Sequence, residues 1–293
     1  MSEAQASDDR VSDADVSAGG QRQADELLEL AVQATRMAGA LLLERMRQGV
    51  EQQVSAKSTP TDLVSEADLA SERAIRELLS SGRPDDGFIG EEGDHAEGTS
   101  GLQWVVDPLD GTVNFLFGIP QWCVSVAVKD SAGTIAGAVY DPNRDELFTA
   151  TRHAPARLVS AQGMSELDAG AIARSRGGDL ATSLIATGLA YDADVRGAQA
   201  RVLARLAPWV RDIRRFGSAA LDLSWTAAGR YDGYFERTVK EWDIAAGALI
   251  CERAGLRVLE LPVREQLPWG ILVAPTQLAE PLMELVSGRG LGW

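Results

Sequence analysis

The chain is poor in the residues from which many catalytic centres are built. Among 293 residues there are only two histidines, His95 and His153, and two cysteines, Cys123 and Cys251. Two histidines this far apart cannot assemble a His-rich zinc site or a phosphohistidine centre. Each cysteine lies in an apolar stretch, which reads as a buried free thiol in a reducing compartment rather than half of a disulfide. No apolar run approaches the ~20 residues of a membrane span, and Met1 to Gly20 has no apolar core of the kind a signal peptide needs. Positive charge is also scarce: 28 Lys and Arg against 43 Asp and Glu leave a formal net charge of −15. That leaves no basic stripe for direct nucleic-acid binding. It also makes an anionic substrate awkward unless cations bind first. The expectation is a cytoplasmic protein without membrane or nucleic-acid partners.

What is present is acid, placed where elements end. Trp104-Val105-Val106 reads as a buried strand that runs into Asp107-Pro108-Leu109-Asp110-Gly111-Thr112. Pro108 fixes its own φ between the two carboxylates, and Gly111 permits a backbone that other residues avoid. Thr112 and Asn114 can cap the helix or turn that follows. Such a corner aims two acids at one point beside free N–H groups, and these bind hard cations and phosphate oxygens respectively. Glu91, Glu92 and Asp243 likewise sit at element ends. Each alone reads as a cap or a surface charge. As a group they would repel one another unless cations lie among them. Oxygen donors without paired His or Cys favour magnesium over zinc.

The rest of the chain alternates strands and helices. Residues 1–22 read as a disordered tail. An amphipathic helix is expected over 23–48, and a second over 65–80, with Ser65 and Asp68 forming a capping box. A short strand at Phe88 breaks into an acidic loop, and 94–101 reads as mobile surface. Runs at 124–129, 135–140 and 146–151 suggest an antiparallel meander. Beyond a boundary near 155 come strands at 183–188, 212–216, 231–236, 256–261 and 270–274, separated by helices. The expected fold is an α/β, α-β-α-β-α layered sandwich. A 23–155 subdomain would carry an antiparallel sheet with two long helices. A 156–293 subdomain would carry a mixed, mostly parallel sheet flanked by helices.

Three signatures in order, Glu91-Glu92-Gly93, Trp104 to Phe115 and Trp242 to Gly247, resemble those of the inositol monophosphatase family. That family is magnesium-dependent and lithium-sensitive. Lys57-Ser58, Thr61 to Asp68 and Arg215 to Ala220 extend the likeness over about residues 23–275. The resemblance implies hydrolysis of a small polyol phosphate monoester, myo-inositol 1-phosphate first, by an activated water and without a phosphoenzyme. It implies two to three Mg2+ ions. Glu91, Asp107 and the Leu109 carbonyl would hold one, Asp107, Asp110 and Asp243 a second, and a weaker third would sit near Glu91. Thr112 paired with Asp68 would help activate the water, with Glu91 as part of the catalytic set. The N–H groups of Gly111 and Thr112 would hold phosphate. Ser218, Ala219 and Glu236, with Asp110 and Asp243, would face the alcohol part of the substrate. A homodimer is implied as well.

The chain departs from the family pattern at Thr151 to Arg157, where a Gly-rich segment is usual, and at Ala254-Gly255-Leu256, where a second glycine is usual. Neither adjoins the acids. A haloacid-dehalogenase-type centre needs its second Asp two residues after the first, and here it comes three later. Relatives acting on histidinol phosphate, fructose 1,6-bisphosphate or 3′-phosphoadenosine 5′-phosphate share the signatures, as would a regulatory protein on the same fold. Lys57 could stand beside the metals or on the surface. Trp104, Trp122, Trp225 and Trp242 read as core, His95 and His153 as surface, and Arg211, Arg214 and Arg215 as solvated or interfacial, with an aid to substrate binding as their lesser reading.

Overall fold

The computed structural model describes residues 13–48, 54–56, 63–93, 95–175 and 177–288. Lys57 and the Thr61-Asp62 pair lie outside the described residues.

Helix α1 spans Asp13–Gln48, so the expected tail is already helical from Asp13. Ala24, Leu27, Ala31, Ala34, Ala38 and Leu42, three or four residues apart, are buried along it. A hairpin of β1 (Val54–Ala56) and β2 (Leu63–Ser65) leads into α2 (Glu66–Gly82). Ser65 caps that helix and Asp68 answers with a bond to the Ser65 N–H, the expected reciprocal cap.

The first sheet gathers β3 (Gly87–Gly90), β4 (His95–Ala96), β5 (Gln103–Asp110), β6 (Cys123–Asp130), β7 (Gly133–Asp141), β8 (Glu146–Thr151), β9 (Arg157–Ser160) and β10 (Gly163–Glu166), with α3 (Thr112–Leu116) between β5 and β6. Its order is β10-β9-β8-β7-β6-β5-β3-β4. Every pairing is antiparallel except β3 with β5. The meander is there as β6, β7 and β8. Through β9 and β10 the sheet continues past residue 155, so the change of sheet falls after Glu166. Part of the stretch expected as mobile loop is β4, paired with β3.

The second half holds α4 (Ala169–Ser175), β11 (Leu184–Thr187), α5 (Ala193–Leu206), β12 (Asp212–Arg214), α6 (Ala219–Ala227), β13 (Gly233–Arg237), α7 (Glu241–Arg253), β14 (Arg257–Leu261), β15 (Gly270–Ala274) and α8 (Thr276–Val286). The sheet order is β12-β11-β13-β15-β14. Only β11 pairs in parallel, with β12 and β13; β15 is antiparallel to both its neighbours. The sheet is therefore evenly mixed rather than mostly parallel. The chain between β14 and β15 is too short for a crossover helix, so it folds back as a hairpin through an Arg264–Leu267 bridge.

Five layers result. α1 and α2 cover one face of the first sheet with Leu27, Leu42, Ile75 and Leu79 against Trp104, Val106, Val124 and Val126. α6 and α7 fill the space between the sheets, and α5 and α8 cover the outer face of the second. Between Ile244 and Cys251 α7 is apolar all round, because sheets flank it on both sides. Small residues let it fit: a Cβ at Gly247 would lie 2.7 Å from the Leu223 side chain, and one at Gly137 2.8 Å from the Ala246 Cα. This central helix carries Asp243 in its first turn.

Candidate active site

The corner of β5 solves a problem of parity. Successive side chains on a strand point to opposite faces, so residues three apart should diverge. Asp107 stands opposite Ser125 and Asp110 opposite Cys123, three steps on one strand against two on the other. The extra residue is a bulge, and it returns both aspartates to the face that looks on α6 and α7. Pro108 sits in the bulge, where its missing N–H breaks no ladder bond, and its carbonyl accepts from Ser71 Oγ at 2.8 Å. The strand was expected to stop before the acids; it runs through them. Gly111 then takes φ 99°, and a Cβ there would meet the Gln121 carbonyl oxygen at 2.9 Å. Thr112 opens α3 rather than capping it. Its hydroxyl lies 2.9 Å from Asp68 Oδ1 and 3.1 Å from the Leu109 carbonyl oxygen. Asn114 does not cap either: its Nδ2 donates to the Gln121 and Phe216 carbonyls, both at 2.7 Å, tying the corner to the second half.

The second half brings the remaining groups. One cleft of about 370 Å³ is lined by Glu91, Asp107, Leu109, Asp110, Gly111, Thr112, Ala219, Glu236 and Asp243, which come from both halves of the chain. Two of the expected site residues stand behind it. Asp68 is fully buried, with Ser65 N and Oγ on its Oδ2 at 2.9 and 2.5 Å. Ser218, expected to face substrate, is buried and donates to Asp110 Oδ2 at 2.7 Å. The N–H groups of Ala219 and Ala220, at the start of α6, also reach Asp110, at 3.2 and 2.7 Å. Glu236 accepts from the Tyr234 hydroxyl at 2.7 Å. Asp243 accepts from the Lys240 N–H at 2.6 Å.

The electrostatics of these acids differ from one to the next. Burial, then Glu91, Asp110 and Asp243 in turn, push the Asp107 carboxyl well above the ordinary range. Burial, then Glu91 and Asp110, do the same to Asp243. Asp110 is raised by burial, but Ser218, Ala220, Ala219 and Cys123 pull it back. Burial raises Asp68 against the donors Ser65 and Thr112. Burial takes Glu236 to about 7, with Tyr234 and Arg215 opposing.

The donor set suits a hard divalent cation. Glu91, Asp107, Asp110 and Asp243 all offer carboxylate oxygens, and the other three each disfavour the charge on Asp107. Among the described residues no three Asp, Glu, His or Cys side chains form a ready-made cage. Magnesium does not require one, because it keeps several waters and takes substrate phosphate oxygens alongside one or two carboxylates.

Sequence reasoning missed part of the lining. Leu189, Ala190, Tyr191 and Asp192 follow β11 into the cleft, and Arg215, Thr238, Lys240 and Trp242 join them. For Arg215 a solvated or interfacial place had been preferred over a substrate role, and Trp242 had been read as core; Trp242 is half-buried, as is Trp225. Thr238 takes φ 71°, a backbone that β-branched residues avoid. That strain, in a segment between two predicted site acids, leaves no mark on the sequence. Gly188 has a clearer role, since a Cβ there would overlap the Glu236 carboxyl at 1.9 Å. The departure at Thr151 to Arg157 has its own ties: Arg152 forks onto Asp130 at 2.9 and 2.7 Å, and Arg253 Nε donates to the Ala154 carbonyl at 2.8 Å. Cys123 and Cys251 are free and buried, and both histidines are exposed. No helix among the described residues is long and apolar enough to cross a membrane.

Known proteins align with this architecture. The inositol monophosphatase family model matches residues 23–287. The inositol-1-monophosphatase SuhB of Mycobacterium tuberculosis is 44% identical over 212 residues, covering 70% of this chain and 71% of that protein. The Nus factor SuhB of Escherichia coli is 38% identical over 231 residues, covering 78% and 83%. The crystal structure of the extragenic suppressor protein suhB from Bartonella henselae superposes with a TM-score of 0.80 at 35% identity, over 91% of this chain and 100% of that one. Layer for layer and over nearly all its length, the chain belongs to the inositol monophosphatase family of phosphatases.

Proposed function

We propose that the protein hydrolyses the phosphate monoester of a small polyol, myo-inositol 1-phosphate first, with magnesium. The observation that carries this reading is Asp107: a buried carboxylate with three other acids acting on it and one protein N–H, that of Leu109 at 3.0 Å, bonded to it. Such a group is stable as an anion only beside cations. Glu91, Asp107 and the Leu109 carbonyl would hold one Mg2+, Asp107, Asp110 and Asp243 a second, and a weaker third would sit near Glu91. Bound there, the ions supply Lewis-acid polarisation of the phosphoryl oxygens and lower the pKa of an attacking water.

The chain's own groups then position the reactants. The N–H groups of Gly111 and Thr112 lie at the start of α3, where they are directed at phosphate oxygens. Asp68 holds the Thr112 hydroxyl at the cleft wall, and with Glu91 that hydroxyl orients the water for in-line attack. Glu236 and Ala219 face the alcohol part of the substrate from the cleft wall. Ser218 acts through Asp110 rather than on substrate. A homodimer is proposed with this activity, and sedimentation velocity reads it.

The test is phosphate release from inositol 1-phosphate with magnesium, with excess chelator and with lithium. Turnover that needs magnesium and falls with lithium is expected. Unchanged turnover in chelator rejects the metal assignment. Comparing kcat/KM with histidinol phosphate, fructose 1,6-bisphosphate and 3′-phosphoadenosine 5′-phosphate tests the substrate. A preference of tenfold or more for one of these, about 1.4 kcal/mol in transition-state binding, replaces inositol phosphate with it.

A further inference from the structure

Arg237 closes β13, one residue beyond Glu236. Neighbouring side chains on a strand take opposite faces, so Glu236 enters the cleft while Arg237 lies on the α5 side of the sheet. Arg237 is only 3% exposed. Its Nη1 donates to the Pro262 and Pro268 carbonyls at 3.1 and 2.5 Å. Its Nη2 is buried and has no hydrogen-bond partner among the described residues. Burial alone pushes the guanidinium down to about 10, with no nearby acid raising it. It is still a cation at neutral pH. A buried charge with neither a counter-charge nor a full set of hydrogen bonds is among the costliest features a fold can carry.

Beside it is a cavity of about 10 Å³, walled by Arg237, Phe235, Thr187, Leu189, Gln199 and Val202 among others. That volume is the space open to the centre of a water-sized sphere, which is room for one water or one monatomic ion. A phosphate, a sugar or an acidic side chain does not fit. Two polar oxygens of the wall are engaged elsewhere: Gln199 Oε1 accepts from the Ala190 N–H at 2.8 Å, and the Thr187 hydroxyl donates to the Gly188 carbonyl at 3.3 Å. A water would satisfy Nη2 but leave the charge uncompensated, whereas a small anion does both.

We propose that this cavity binds a single monatomic anion, chloride under ordinary conditions, held by Arg237 Nη2 on the face of β13 opposite the cleft. The assignment is independent of the phosphatase reading. Two measurements test it. Crystals of the full chain soaked in sodium bromide should give an anomalous peak within hydrogen-bond reach of Nη2. At constant ionic strength, replacing sodium gluconate by sodium chloride should raise the melting temperature saturably, by about 2 °C at several times the dissociation constant. Arg237→Met should abolish that halide-specific rise while keeping the apolar stem. A cavity holding water without anomalous signal, or equal melting in gluconate and chloride, overturns the proposal. If Arg237→Met does not fold, the bromide peak in the unaltered protein still decides it.

Discussion

Asp107 and Asp110 stand on one bulge, face the same way and are both buried, yet the protein treats them differently. Asp110 receives Ser218 Oγ and two N–H groups from the first turn of α6, with the Cys123 thiol 3.7 Å away. Asp107 receives the Leu109 N–H and has Glu91, Asp110 and Asp243 as electrostatic neighbours. The fold gives one carboxylate a hydroxyl and two N–H donors, and the other a single N–H and a hydrogen bond shared with the Glu91 carboxyl. Asp110 is anchored by protein, and it can lend its remaining lone pairs to a ligand without moving. On the proposed reading, Asp107 depends on the ions that enter the cleft. The two carboxylates are therefore told apart by where their hydrogen bonds come from.

The largest expected effect follows from removing the charge of the member with fewer donors. Asp107→Asn should lower kcat about a thousandfold, the scale of several kcal/mol of lost charge stabilisation. In chelator the same variant should melt no lower than the unaltered protein, because it relieves repulsion instead of breaking bonds. Steady-state kinetics with a melt in chelator read both, and a variant that is active, or that is clearly less stable, breaks the contrast.

The next effect concerns Glu236, which lies farther along the same cleft. Burial raises its folded pKa to about 7, above the ordinary value for glutamate. The folded state therefore holds the proton more tightly than the unfolded chain does. That advantage is complete below about pH 4 and disappears as pH rises toward 7, a swing of roughly 3 kcal/mol. Denaturation of chelated protein at pH 5 and pH 8 should show the fall in the unaltered protein. Glu236→Gln should lack this component of it. Identical pH dependence in the two would show Glu236 to be solvated rather than buried.

How much of this could be read in the sequence depends on how local the cause is. The corner was legible because Pro108, Gly111 and the two acids act within six residues. The Ser65–Asp68 cap and the α1 stripe were legible for the same reason. The bulge was not: it depends on which residues of β6 stand opposite, and only there do Asp107 and Asp110 come to share a face. Arg215, Tyr191, Asp192 and Lys240 reach the cleft from loops whose placement depends on the second sheet, so no short pattern marks them. β9 and β10 pack one largely exposed edge and carry little apolar signal, which is why the first sheet was expected to end too early. β14 and β15 were placed correctly as strands, but their antiparallel return is set by connection length and not by their own residues.

The smallest effect tests the anchored member. Ser218→Ala removes one donor from Asp110 and leaves the Ala219 and Ala220 N–H groups in place. Loss of a buried bond to a charged acceptor should cost about 1.5 kcal/mol of stability, read by denaturation in chelator. Turnover should fall less than tenfold, because the carboxylate keeps its charge and its backbone donors. The family resemblance placed Ser218 on the substrate, and the geometry places it behind Asp110, so the two readings diverge here. A role on the substrate requires KM for inositol 1-phosphate to rise with stability intact. A role behind Asp110 requires stability to fall and the magnesium concentration for half-maximal rate to rise, with KM for substrate at saturating magnesium unchanged.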